Sequence, residues 1–125
     1  MSTEQNKTVV RRFDTEVLVA CHVELVDELL GDANVNRGMG GKDRATIKGW
    51  LEVASAGPGG RMEILDLVAE EDAVVARFTY AITLPSGEAV TARGLTFYRL
   101  ADGRIVEDDA ITSPDLMQVF AAQLP

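Results

Sequence analysis

Three consecutive β-strand patterns, joined by two tight-turn signals, constrain the fold of this chain more than any other feature. In the run 74–84, apolar residues occur at every second position, the spacing that places side chains on one face of a strand. A Pro-Ser-Gly turn sequence follows, since proline fixes φ and glycine tolerates positive φ. The run 88–100 is rich in Val, Thr and aromatic residues, and the Asp-Gly pair at 102–103 is a hairpin signal. The segment from Ala73 to Ile111 therefore predicts an antiparallel meander.

Helical patterns lie on both sides of this meander. Ser2 and Gln5 match a capping box, and apolar residues then recur at helical spacing to position 21. A second helical pattern is expected to end at Gly31, and Asp43 is the predicted N-cap of a third. Ser113 is the predicted N-cap of a short last helix, because proline follows it at the position that favours helix entry.

The order of these patterns predicts one α+β domain over residues 1–125. Helices come first, strands follow, and a short helix closes the chain, which favours an α+β class over a parallel α/β fold. We expect a cone-shaped α+β barrel, in which the N-terminal helices pack on a curved antiparallel sheet. A cone of this kind is a natural pocket for a small molecule.

Composition narrows the range of partners. A formal net charge of −8 argues against nucleic acid and anionic membranes as main partners. No apolar run is long enough to cross a membrane, the N-terminus lacks a signal-peptide pattern, and the only cysteine, Cys21, cannot form an internal disulfide. We therefore expect a cytoplasmic protein with small or neutral ligands, and the apolar cone expected from the order of elements favours a small hydrophobic molecule. We predict no metal and no cofactor, since His22 and Cys21 alone do not make a convincing zinc site.

One phrase, Tyr-Arg-Leu-Ala-Asp-Gly-Arg-Ile-Val-Glu at 98–107, carries a resemblance to a known family, supported by the leucines at 29–30 and the helix with Trp50. With the order of elements, these features make the chain similar to the SnoaL-like branch of the nuclear transport factor two-like superfamily over nearly its whole length. That superfamily includes polyketide cyclases, ketosteroid isomerase, limonene epoxide hydrolase and dehydratases. The resemblance implies the cone-shaped fold, a small-molecule pocket and a homodimer formed through the open face of the sheet.

The catalytic residues of the family are not all present. SnoaL-like cyclases typically have His-Trp-Asp where this chain has Asp108, Asp109 and Ala110, so alanine occupies the position of their acid/base aspartate. A family histidine, in a Val-x-His phrase, is replaced by Arg37. The epoxide hydrolases resemble this chain at Arg77, but the aspartate that they carry two residues later is a threonine here.

Asp108, Asp109 and Arg37 are the candidate catalytic residues. The two acids alternate faces of one strand, and whichever points into an apolar cone has its pKa raised by desolvation, which makes it a usable acid or base. The family resemblance places Asp108 inside, whereas hydrophobic alternation from Ile105 to Ile111 places Asp109 inside. A β-bulge would reconcile the two arguments. Arg37 would pair with the inward carboxylate or with an enolate oxygen of the ligand.

Aromatic and flexible side chains, with one arginine, are the candidates to line the cavity. A buried tyrosine needs a partner for its hydroxyl, and a ligand carbonyl can supply one. The competing interpretation assigns these aromatic residues to the core and the arginine to a cross-strand ion pair. The predicted substrate-binding residues are Phe13, Met39, Trp50, Arg77, Tyr80 and Tyr98.

Two functional hypotheses follow, and the sequence leaves both open. In the first, the chain is a cofactor-independent acid/base enzyme of the cyclase or isomerase type, which acts on a polyketide- or steroid-like ketone. In the second, it is a non-catalytic ligand-binding or dimerisation module that has lost the family's Asp and His, and Asp108 and Asp109 are solvated at a sheet edge or dimer rim. Fold alone does not decide between them.

Overall fold

A computed structural model describes residues 2–37, 44–54, 60–84 and 86–122 of the protein. The helical elements are α1 (Thr3–Arg12), a π-helical segment (Phe13–Val19), a 3₁₀ turn (Val23–Leu25), α2 (Val26–Leu29), α3 (Arg44–Ala54) and α4 (Leu116–Ala121). The strands are β1 (Leu30–Asn36), β2 (Gly60–Glu70), β3 (Ala73–Thr83), β4 (Ala89–Ala101) and β5 (Arg104–Ser113).

The strands form one mixed sheet in the order β1-β5-β4-β3-β2. Strands β2 to β5 are a continuous antiparallel meander, and β1 lies parallel to β5. The predicted α+β class, with N-terminal helices packed on a curved sheet, is confirmed. The parallel pairing of β1 was not predicted. It places β1, which follows α2, directly beside β5, the strand that carries Asp108 and Asp109.

The predicted hairpin turn between β4 and β5 is confirmed. Asp102 and Gly103 both have positive φ, 52° and 79°. Two consecutive positive φ values are typical of a two-residue turn whose twist matches that of the flanking strands.

The core lies between the concave face of the sheet and the helices. The predicted inward positions of β3 are confirmed at Val74, Ala76 and Phe78, which are buried. Val74 and Ala76 belong to one buried apolar cluster with residues of the N-terminal helical elements and α3. The residues buried from these helical elements are Val10, Phe13, Val17, Val26, Leu29, Ile47 and Leu51.

One predicted helix boundary is confirmed to within one residue and another is wrong. α2 ends at Leu29 with Leu30 as its C-cap, and Gly31 follows in β1, so close to β5 that an added Cβ would be 3.2 Å from Cγ1 of Val106. Ser113 does not cap α4 because it is the last residue of β5. The backbone N–H of Gln118 instead donates to the Asp115 side chain at 3.4 Å, so the cap is two residues later. The predicted Asp43 cap lies outside the described residues.

Candidate functional site

Asp108 lies in the interior of the protein and Asp109 on its surface. Asp108 is 3% exposed, whereas Asp109 is exposed. The register explains this: Arg99 pairs with Glu107 but Leu100 pairs with Ile105, so Val106 is an extra residue in β5. Such a bulge rotates the strand by one position. Ile105 and Asp108 therefore both face inward although their spacing breaks simple alternation.

Tyr98 is the neighbour of Asp108 on β4. The two residues are directly opposite in the β4–β5 register, and Tyr98 is 1% exposed. Its hydroxyl donates a hydrogen bond to Oδ1 of Asp14. Its ring packs edge-on against Phe13, with centroids 6.2 Å apart and an interplanar angle of 82°. Tyr98 therefore connects the strand of Asp108 with the first helix.

Asp14 also belongs to this cluster, although it is not among the residues predicted from the sequence. It is 1% exposed, in the π-helical segment that follows α1. A signal was present in the sequence: Asp14 is four residues after Val10 and three before Val17, on the helical stripe that is otherwise apolar. A carboxyl group on the apolar face of a helix is expected to be buried, and buried acids are rare without a hydrogen-bond or charge partner. The position of Asp14 therefore indicated a partner elsewhere in the fold.

Asn34 completes the cluster from β1. It is buried, its side-chain Nδ2 donates to the backbone oxygen of Ile105 at 3.3 Å, and it also forms a side-chain hydrogen bond with Asp108. Asn36, two residues later on the same strand, is buried and in parallel register with Asp108. Parallel pairing with β5 thus places two amides beside the inward carboxyl.

The pKa of Asp108 is raised from 3.8 to about 7. Burial is the main cause, because a low-dielectric surrounding disfavours the ionised form. The negative charges of Asp14, Asp109 and Glu107 raise the pKa further, while the hydrogen bond from Asn34 lowers it. A carboxyl group in this state exchanges its proton near neutral pH, which suits a general acid or base.

The pKa of Asp14 is also raised from 3.8 to about 7, again mainly by burial. The hydrogen bond from Tyr98 and the positive charge of Arg11 oppose that shift. Burial and the charge of Asp14 in turn raise the pKa of Tyr98 well above 10. The phenol is therefore neutral at physiological pH and acts as a hydrogen-bond donor.

Three oxygen atoms of the cluster have no hydrogen-bond partner within the part of the chain that the structure describes. They are Oδ2 of Asp108, Oδ2 of Asp14 and Oδ1 of Asn34, all buried. A buried oxygen without a partner is costly, so such atoms mark positions where a proton, a water molecule or a ligand is expected.

The two predicted arginines do not join the cluster. Nε and a terminal nitrogen of Arg37 donate to the same oxygen of Glu107, at 3.1 and 2.9 Å, on the exposed surface. Arg77 is exposed and forms an ion pair with Asp66 across β2 and β3, the cross-strand alternative considered from the sequence.

Of the remaining predicted binding residues, some lie in the cluster and others do not. Phe13 and Tyr98 lie in the cluster. Tyr80 is half-buried, and a Cβ added at Gly60 would overlap its hydroxyl. Trp50 lies in α3, but its side chain is outside the description. Met39 lies outside the described residues.

Among residues 2–37, 44–54, 60–84 and 86–122, no group of three or more His, Cys, Asp or Glu side chains is placed to hold a metal ion. Within the same ranges, no helix is both long and apolar enough to cross a membrane.

Residues 10–108 match the model of the SnoaL-like domain. This match covers most of the chain, so the protein belongs to the SnoaL-like domain family, within the nuclear transport factor two-like superfamily. No curated protein matches the sequence.

Solved structures support the fold at low sequence identity. A candidate polyketide cyclase from Acidithiobacillus ferrooxidans superposes with a TM-score of 0.75 at 22% identity, covering 99% of this chain and 100% of its own. A candidate SnoaL-like polyketide cyclase from Jannaschia gives 0.78 at 22%, covering 98% and 94%. An epoxide hydrolase from Mycobacterium tuberculosis, similar to limonene epoxide hydrolase, gives 0.77 at 20%, covering 96% and 95%.

Proposed function

We propose that the protein is a cofactor-independent acid/base enzyme that acts on a small hydrophobic ketone of the polyketide or steroid type, with Asp108 as its proton-transfer group. The observation that carries this proposal is a buried Asp108 whose pKa is raised to about 7 and whose Oδ2 has no partner among the described residues. Candidate polyketide cyclases among the structural relatives support the substrate class.

The proposed reaction is proton abstraction next to a carbonyl group. Ionised Asp108 takes a proton from the carbon beside the ketone, and the electron pair of the C–H bond moves to the ketone oxygen to give an enolate. If a C=C bond adjoins the ketone, neutral Asp108 then returns the proton to the far carbon of the dienolate, which moves the double bond. Otherwise the enolate carbon attacks a second carbonyl and closes a ring, and the alkoxide oxygen formed there takes the proton back from Asp108. Asn34 holds the carboxyl group in place through their hydrogen bond.

Deuterium exchange tests this role without knowledge of the natural product. Purified protein is incubated in D₂O with a panel of polycyclic and steroid ketones, and loss of the α-proton signal is followed by ¹H NMR. We expect exchange that falls on the order of 100-fold or more in Asp108→Asn, the range of general acid–base catalysis. Asp109→Asn is the matched control, since it removes the same charge from the exposed neighbour. Equal exchange in wild type and Asp108→Asn would refute the proposal.

A non-catalytic ligand-binding module is the second candidate function. It is favoured by Ala110 at the position of the family's acid/base aspartate and by Arg37, which pairs with Glu107 on the surface. In that case a ketone binds, its α-proton signal persists in D₂O, and Asp108→Asn changes neither result.

We also propose a homodimer formed through the outer face of the sheet. Arg77, Leu95 and Ile111 are consecutive partners across β3, β4 and β5, and Leu95 and Ile111 are 51% and 75% exposed. Leu65 and Val68 on β2 are 44% and 66% exposed. Exposed apolar side chains on three strands, β2, β4 and β5, are typical of a protein interface, and the family resemblance favours a second copy of this chain as the partner.

A further inference from the structure

Asp14 is a buried carboxyl that the proposed reaction does not use. It reaches the site from the first helix, whereas Asp108 reaches it from β5. One side chain connects them, since Tyr98 is opposite Asp108 in the sheet and donates its hydroxyl to Asp14. Both acids are almost fully buried, at 1% and 3% exposure, so solvent screens the interaction between their charges only weakly.

We propose that Asp14 and Asp108 titrate as one coupled pair bridged by the side chain of Tyr98, so that Asp14 sets the protonation state in which Asp108 meets its substrate. Asp14 is thus a positioning residue that acts through electrostatics. This inference rests on the proposed acid/base role of Asp108, but its test does not require turnover.

The reason for the coupling is the cost of two negative charges in one buried cluster. Ionisation of one carboxyl raises the pKa of the other, so protons leave the pair in two separate steps. The charge of Asp14 is the largest of the three carboxylate effects that raise the pKa of Asp108, ahead of those of Asp109 and Glu107. Between these two steps the pair holds a single negative charge.

The groups around the pair determine which of the two carboxyls, Asp14 or Asp108, carries the negative charge. The hydrogen bond from Tyr98 and the cationic Arg11 stabilise ionised Asp14, while Asn34 on β1 stabilises ionised Asp108. On β5, Glu107 and Asp109 oppose ionisation of Asp108. A ligand that donates to Oδ2 of Asp108 would move the charge toward it and protonate Asp14 in exchange.

Carbon NMR of the wild-type protein tests the coupling directly. With aspartate labelled at the carboxyl carbon, the resonances of the pair are assigned by Asp→Asn replacement and followed from acid to alkaline pH. We expect both resonances to move in two steps with shared midpoints. Two simple curves, each with a single unrelated midpoint, would overturn the proposal.

Variants then assign the cause. Asp14→Asn removes one charge, and the midpoint of Asp108 should fall by about one pH unit, the scale at which sites count as coupled. Asp109→Asn is the matched control, and a smaller, salt-sensitive shift is expected because its charge is exposed. Tyr98→Phe should raise the midpoint of Asp14, since its hydrogen bond is lost. An Asp108 midpoint that Asp14→Asn leaves unchanged would disprove the coupling, whatever the exchange assay shows about catalysis.

Discussion

At the scale of single residues, burial of Asp14 and Asp108 makes the free energy of unfolding depend on pH. Each has a pKa of about 7 in the folded protein, against an ordinary value of 3.8. Between about pH 4 and 7 the folded protein thus binds more protons than the unfolded chain, so stability falls as the pH rises through this interval. For one carboxyl the loss is roughly 4 kcal/mol at most, since each pKa unit corresponds to about 1.4 kcal/mol.

Urea unfolding at acidic and mildly alkaline pH measures this dependence. We expect wild type to be more stable near pH 5 than near pH 8, and the difference to shrink in Asp108→Asn, which cannot ionise. Asp109→Asn, at the exposed neighbouring position, should retain the wild-type difference. A protein that gains stability from pH 5 to pH 8 would contradict the burial of these two acids in their ionisable form.

The two acids also illustrate what the sequence reveals about single residues. Asp108 was predicted as a candidate on chemical grounds, but its direction depends on the bulge at Val106, and that bulge forms only through pairing of β5 with β4. Asp14 was missed although it occupies a helical stripe with Val10 and Val17. A polar residue on an apolar stripe is a signal available from periodicity alone, whereas its partner Tyr98, 84 residues away, is not.

At the scale of elements, replacement of glycine by alanine is expected to change stability in opposite directions at two positions, one in β4 and one in α3. In β4, a Cβ on Gly94 would lie 2.7 Å from Cζ of Phe78 and 2.8 Å from the backbone oxygen of Ile111. Because a backbone atom cannot move aside easily, Gly94→Ala should destabilise the protein by about 1–3 kcal/mol. In α3, nothing lies within 4 Å of a Cβ on Gly49, and Gly49→Ala should stabilise it by about 0.5–1 kcal/mol.

Thermal and urea unfolding of the two alanine variants checks this pair. The expected result is a lower midpoint for Gly94→Ala and a higher one for Gly49→Ala, with the wild type between them. Gly94→Ala at wild-type stability would mean that β3 and β5 do not approach β4 as closely as described. Gly49→Ala below wild type would place its Cβ against a neighbour instead of in open space.

Element boundaries were predictable where local chemistry decides them. The Ser2–Gln5 capping box is present, with both reciprocal hydrogen bonds, and the Asp-Gly turn has the expected backbone. The end of α2 lies within one residue of its predicted stop, since its C-cap Leu30 directly precedes Gly31. The start of α4 was misplaced because pairing with β4 extends β5 as far as Ser113.

At the scale of the whole molecule, the family resemblance and the periodicity both predicted the α+β fold, since alternation in the meander and the helical stripes agree with one another. The function is less determined, because the same fold hosts different reactions. By the family resemblance, Ala110 takes the position of the family's aspartate, and the buried acid that we propose as the proton-transfer group, Asp108, lies two residues earlier in the same strand.

The outer face of the sheet carries the last prediction, which concerns assembly. Leu95 and Ile111 form an exposed apolar pair, and a stable dimer typically buries about 800 Å² on each partner. We expect sedimentation velocity to find a dimer for wild type and a monomer for Ile111→Lys, since a charge in a dehydrated interface is costly. Ala45→Lys, exposed on α3, adds the same charge away from the sheet and should remain dimeric.

A wild-type monomer at high concentration would contradict the proposed dimer. A dimer that persists in Ile111→Lys would instead place the interface on another surface. Neither result would bear on the coupling of Asp14 and Asp108, because these acids are buried on the opposite side of the sheet.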